Sequence, residues 1–116
     1  MANPMSQAFW PKLWALVSDC AFVVDRPKGS EHPRLPGVRY PYDYGYLEGT
    51  TASDGEALDA WRGSGDAGEL SAVICTVDLG KRDIELKLLL GCTPDEQRTI
   101  VGFHNAGTQG GLLIEP

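Results

Sequence analysis

Three acids crowd into six residues, Asp54, Glu56 and Asp59 in the run Asp54-Gly55-Glu56-Ala57-Leu58-Asp59. Two more, Asp78 and Asp83, flank the short connection Leu79-Gly80-Lys81-Arg82. Convergent carboxylates without cysteine suit hard cations, and Mg²⁺ takes oxygen ligands while keeping waters and substrate phosphates in its shell. Two such ions side by side clamp a phosphoanhydride and turn a shared water into hydroxide. Arg34, Arg39 and Lys87 are then the donors for phosphate oxygens. The two groups of acids meet only if the strands that carry them lie side by side. The plainer reading is that acids in turns are solvated, since Asp-Gly is a common turn pair. An EF-hand is excluded, because the Asp-x-Asp-x-Asp-Gly ladder and its closing Glu are missing.

The chain around these acids is that of one domain, residues 1–116, with 42% hydrophobic residues and a net charge of -6. That acidity argues against general nucleic-acid binding, which needs clustered Lys and Arg. A small phosphate compound remains a suitable partner where divalent cations bridge carboxylate and phosphate. Cys20, Cys75 and Cys92 are odd in number and widely spaced, so they read as free thiols in or beside apolar runs. No secretory signal and no bilayer-spanning apolar stretch is seen, so no membrane partner is expected and the cytoplasm is the default location. His32 and His104 read as surface or helix-end residues rather than catalysts. The glycines of 107–111 lack a following Lys-Ser/Thr, which argues against a P-loop.

Helical spacing runs from residue 6 to 19, where Trp10, Leu13, Trp14 and Val17 form an apolar stripe. Ala21 to Val24 reads as a strand ending at Asp25. Four prolines (Pro27, Pro33, Pro36 and Pro41) then forbid a regular helix, which leaves 26–45 as a long ordered loop or edge segments. Short strands are expected at 46–48 and 57–61, and longer ones at 70–78 and 84–90, with a final strand possible at 111–115. Alternation along the fourth places Asp83, Glu85 and Lys87 on one face, and Ile84, Leu86 and Leu88 on the other, which fits a core. Tyr40, Tyr42, Tyr44 and Tyr46 share a face if extended. Thr93-Pro94-Asp95-Glu96 is a helix start with a capping box, and Ala106-Gly107 ends that helix. About five short strands with a helix at each end make an α+β fold, with a small barrel the expected closure.

The run Tyr40-Pro41-Tyr42-Asp43-Tyr44-Gly45-Tyr46-Leu47, followed by Asp54-Gly55-Glu56-Ala57-Leu58-Asp59, resembles the core of the family I soluble inorganic pyrophosphatases. There a Tyr-Pro-x-Asn-Tyr-Gly-Tyr/Phe-Ile segment precedes Asp-Gly-Asp-Pro-Leu-Asp at the same spacing. Val24-Asp25-Arg26-Pro27-Lys28-Gly29-Ser30 is similar to the family's Ile-Glu-Ile-Pro-x-Gly segment, and Asp78 and Asp83 to its later acidic pair. The resemblance covers about residues 21–90. It implies an OB-like five-stranded β-barrel with flanking N- and C-terminal helices, a Mg²⁺ requirement, and hydrolysis of pyrophosphate to two phosphates.

By position, the resemblance makes Asp54, Asp59, Asp78 and Asp83 metal ligands, Asp59 bridging two ions. Glu56 stands where the family has an Asp that helps activate the attacking water, and Tyr44 would bond near the metals or substrate. Asp25 falls where the family has an outer-sphere Glu, and Arg34 near its first phosphate-binding Lys. Arg39 and Lys87 complete the substrate contacts. The family's Asp-x-Lys becomes Asp83-Ile84-Glu85-Leu86-Lys87, with the lysine two residues on but on the same face. The hairpin before the Tyr-Pro segment is largely missing, and His104-Asn105 occupies the place of a Tyr-Lys pair. The alternatives are a non-catalytic Mg²⁺- or phosphate-binding module, and a phosphohydrolase acting on another diphosphate. A homo-oligomer is expected, both from the resemblance and because three tryptophans on a short chain leave apolar surface to cover.

Overall fold

A computed structural model describes residues 7–116. Ser6, the first residue of the expected first helix, lies outside the described residues. Helix α1 spans Phe9–Asp19. Leu13 and Val17, one turn apart, are its buried residues, with Trp10 packed partly beside them. Trp14 departs from the expected stripe and is 53% exposed. The helix meets the sheet along one narrow seam, and Trp14 falls on its rim.

Six strands follow: β1 (Phe22–Arg26), β2 (Asp43–Leu47), β3 (Leu58–Arg62), β4 (Leu70–Asp78), β5 (Asp83–Leu90) and, after helix α2 (Pro94–Phe103), β6 (Gln109–Ile114). They form one sheet in the order β1-β2-β3-β5-β4-β6. Neighbours are antiparallel except β3 and β5, which run parallel. The α+β class holds. The closed five-stranded barrel does not: the 109–114 segment pairs fully with β4, and β1 and β6 lie at opposite ends of an open sheet.

β2 begins at Asp43, earlier than the sequence pattern indicates, because β1 and β3 pair with it on both sides. Gly45 permits this. A Cβ there would collide with the Val23 backbone. The Pro-rich segment before it is ordered, as expected. The Gly29 N–H donates to Tyr40 O at 2.8 Å, Tyr40 N–H to Ser30 O at 3.0 Å, and His32 N–H to Val38 O at 2.7 Å. A short irregular hairpin thus stands where the sequence pointed to one largely missing.

The core has two sides. On one, α1 covers Leu47, Ala60, Val73, Leu88 and Leu90. On the other, Ile100 of α2 packs with Trp61, Ala72, Ile74, Leu89 and Tyr40. The cap of α2 is as expected: Thr93 Oγ1 accepts from the Glu96 N–H at 3.2 Å, and Glu96 Oε1 from the Thr93 N–H at 2.8 Å. Glu96 also accepts from the Ser64 N–H, at 3.1 Å to Oε2, which ties the helix start to the β3–β4 turn. Leu88 is buried on the expected core face of β5, but the earlier residues of that face are not. Ile84 is 67% exposed and Leu86 is exposed, whereas Lys87 is buried. The apolar side of β5 enters the core only from Leu88 onward, where α1 covers it. Among the described residues, no helix is long and apolar enough to cross a membrane.

Candidate functional site

β3 and β5 pair only through Ala60–Arg62 and Leu88–Leu90. One residue before that register stand Asp59 and Lys87, and there the chemistry gathers. The Lys87 Nζ donates to Asp59 Oδ2 at 2.9 Å, Glu85 Oε2 at 2.9 Å and Tyr44 Oη at 2.8 Å. An ammonium has three donors, and all three are used. The side chain of Lys87 is 7% exposed, against 39% for Asp59 and 25% for Glu85. Burial by itself would lower the Lys87 pKa. The Tyr44 oxygen and the Asp59 carboxylate outweigh it and push it up, so the lysine stays charged. Burial holds the Tyr44 phenol well above its ordinary value, so it stays protonated. Burial also acts to raise the Glu85 carboxyl, but Lys87 and Lys81 prevail and hold it low.

Glu85 is a residue of this cluster that sequence reading did not single out as a candidate. The lysine's nearest acid on its own strand is Glu85, in Glu85-Leu86-Lys87, and not Asp83. The acid-x-lysine spacing of period two was the available signal.

Asp54, Asp59 and Glu85 line one cleft of about 240 Å³, together with Thr51, Ser53 and Leu58. Asp54 is exposed on its turn, where its Oδ1 accepts the Glu56 N–H at 2.9 Å and Gly55 takes φ 87°. Glu56 is exposed and is not among the cleft-lining residues. Asp78 and Asp83 sit opposite one another at the far end of the β4–β5 hairpin. Asp83 is four residues from Lys87, about 13 Å along the strand. Asp78 Oδ1 accepts from Thr108 Oγ1 at 2.8 Å and from the N–H groups of Gly80 at 2.8 Å and Lys81 at 3.2 Å. Its Oδ2 accepts from Gln109 Nε2 at 3.3 Å. The Thr108 bond leads in holding its carboxyl below the usual range.

That Gln109 bond ends a directed chain. Trp61 Nε1–H can only donate, and it donates to His104 Nε2 at 2.9 Å. The His104 proton is therefore on Nδ1, which faces Gln109 Oε1 at 3.0 Å. Burial pushes the His104 pKa down to about 4, so the ring is neutral. His104 is thus a core residue rather than a surface one. Gly111 allows β6 to pass close, since a Cβ there would lie 2.9 Å from Ile74 Cδ1 and 3.2 Å from His104 Cβ.

The basic groups divide. Arg39 donates to Gly29 O at 2.9 Å and pairs loosely with Glu31 at 3.9 Å, both within the irregular hairpin. Arg34 stays near His32, whose ring stacks 5.7 Å from Tyr40, itself stacked 5.5 Å from Tyr44. Burial and then the charges of Arg26, Arg34 and Lys81 hold the His32 pKa down. Arg26 and Lys81 were not expected at the site. A bulge between Val24 and Arg26 sets Arg26 opposite Tyr44 and on its face, and leaves Asp25 exposed at the irregularity. That shift depends on pairing and has no signature in the sequence.

Among the described residues, no three His, Cys, Asp or Glu side chains converge closely enough to hold a metal ion by themselves. The donors of the cleft are nevertheless carboxylate oxygens on an open wall. Mg²⁺ is commonly bound in that way, by one or two carboxylates with substrate phosphates and water completing its shell. The residues present fit Mg²⁺ in that form, with Asp54 and Asp59 as the nearest candidates.

No protein-family model matches the chain, and no curated protein matches it in sequence. Solved structures do match in shape. An inorganic pyrophosphatase from Helicobacter pylori is 17% identical, with 83% of this chain and 81% of that chain covered and a TM-score of 0.57. An inorganic pyrophosphatase from Coxiella burnetii is 12% identical, with 81% and 82% covered and a TM-score of 0.53. At these identities the likeness is one of fold.

Proposed function

We propose, for a chain that shares the fold of the inorganic pyrophosphatases, that the cleft hydrolyses inorganic pyrophosphate to two phosphates in a Mg²⁺-dependent reaction. The observation that carries this reading is the buried Lys87 held by Tyr44, Asp59 and Glu85 where β3 and β5 part. Asp54 and Asp59 would hold the metal. When bound, Mg²⁺ supplies charge for the phosphate oxygens and lowers the pKa of the attacking water. Asp59 faces the reacting group, and Lys87 meets the phosphate oxygens from below. Arg26, Arg34 and Lys81 draw the anion to the rim and orient it by charge-assisted bonds. Tyr44, kept protonated, accepts from Lys87 and fixes its ammonium. Asp78 and Asp83 act at the hairpin end, where Asp78 orders the turn and β6.

A second reading, a module that binds Mg²⁺ or a phosphate ligand without turnover, is supported by one observation. Asp59, Glu85 and Tyr44 are all engaged by Lys87, which is a cation suited to hold a phosphate without activating water. The test of both is phosphate release from pyrophosphate and from a nucleotide panel, with Mg²⁺ and with chelator. Pyrophosphate turnover that chelator abolishes is the expected result. Folded protein that binds pyrophosphate without releasing phosphate would select the binding module. Release from a nucleotide alone would select another diphosphate substrate.

A further inference from the structure

We propose that Lys87 is a resident counter-ion of the Asp59–Glu85 pair, which weakens binding of divalent cations to the empty cleft until a phosphate anion draws its ammonium away. This rests on the reading of the cleft as a phosphate site and deepens it, making metal and phosphate bind together. The ammonium stands 2.9 Å from one oxygen of each carboxylate, and so neutralises part of the charge that Asp59 would offer a divalent cation. A Mg²⁺ ion needs such oxygens at about 2.0–2.1 Å, so it and the ammonium compete for the charge of the same carboxylates. Charge points the same way. Two carboxylates and one ammonium leave one net negative charge, and two once the lysine departs.

The geometry also supplies a way out for the lysine. Its stem is four flexible carbons, and its Nζ lies 5.4 Å from the centre of the Tyr44 ring. The two acids are more exposed than the lysine behind them, so an anion at the cleft mouth approaches the ammonium between them. Arg26 stands beside Tyr44 on the same face, and Lys81 is near enough to act on both Glu85 and His32. These cations favour an incoming phosphate and oppose a bare metal ion. Binding of the two is therefore reciprocal, each raising the affinity for the other.

The test is Mn²⁺ binding to the full chain, followed by calorimetry or by the signal of free Mn²⁺, without phosphate present. Lys87→Met is expected to bind Mn²⁺ at least about tenfold more tightly than the natural chain, and inorganic phosphate at least about tenfold more weakly. Equal or weaker Mn²⁺ binding by the folded variant overturns the proposal. Because Lys87→Met leaves two carboxylates facing each other, a second measurement uses the natural chain with ¹⁵N-labelled lysine. Inorganic phosphate with Mg²⁺ is expected to shift the Lys87 Nζ signal and to hasten its proton exchange. A signal unmoved at saturation overturns the proposal without the variant. Neither readout needs turnover, so an inactive protein with tightened Mn²⁺ binding refutes only the hydrolytic reading. An active protein with unchanged Mn²⁺ binding refutes only the counter-ion.

Discussion

Asp59 takes a hydrogen bond from Lys87 and lines the cleft, so one side chain serves both the lysine and any metal. Asp59→Asn keeps its size and removes its charge. Metal-dependent phosphate release is expected to fall by at least about 100-fold, with the circular dichroism unchanged. Wild-type release in that variant would refute a role for Asp59 at the metal. His104 makes a prediction about stability instead. Its pKa falls from 6.5 unfolded to about 4 folded, so the unfolded chain takes up the proton first as pH drops. The neutral ring's contribution is complete above 6.5 and is lost as pH falls through 4. The whole difference is about 3 kcal/mol, and much of it appears between pH 7 and pH 5. Urea midpoints should drop across that interval, and His104→Gln, which does not titrate, should flatten the slope. The sequence showed His104 at a helix end, but its burial depends on Trp61, which is 43 residues away.

At the scale of elements, the start of α2 bears more than a helix cap. Glu96 closes the box with Thr93 and also accepts from the N–H and hydroxyl of Ser64. Thr93→Ala is expected to cost about 1 kcal/mol in urea denaturation, the usual worth of an N-cap. Glu96→Ala should cost more, because it releases the β3–β4 turn as well as the cap. Equal losses would mean that the Ser64 bonds contribute nothing. The capping box was legible in four consecutive residues, while the Ser64 bond spans 32. The same contrast holds for β5, whose existence and alternation were clear and whose depth of burial along the strand was not.

Across the whole molecule, the part of the α1 face of the sheet that α1 does not reach is apolar. Val77, Ile84, Leu86, Leu112 and Ile114 stand exposed on three neighbouring strands. The register aligns Val77 with Ile84, and Cys75 with both Leu86 and Leu112. An apolar surface continuous over three strands is the kind that marks an interface rather than free surface. We propose that it seats a second copy of the chain. Light scattering should give a mass above that of one chain, and Ile84→Lys, which adds charge to this face, should shift it to the monomer. A wild-type monomer at working concentration would dispose of the proposal.

Some features follow from neighbouring residues alone. Thr93 to Glu96 set a helix start, the 70–90 alternation set a hairpin, and the spacing of Asp54 and Asp59 marked the cleft wall. Each involves groups that are close along the chain, so their geometry is constrained before the chain folds. Tertiary packing decided the rest. A period of two puts Ile84, Leu86 and Leu88 on the core face, but does not say how far along the strand the core extends. That extent was set by α1, which covers Leu88 and stops short of Leu86 and Ile84. The bulge that turns Arg26 toward Tyr44, and the chain from Trp61 through His104 and Gln109 to Asp78, have the same origin. They join residues distant in sequence whose hydrogen-bonding groups find partners only when the sheet and both helices are assembled.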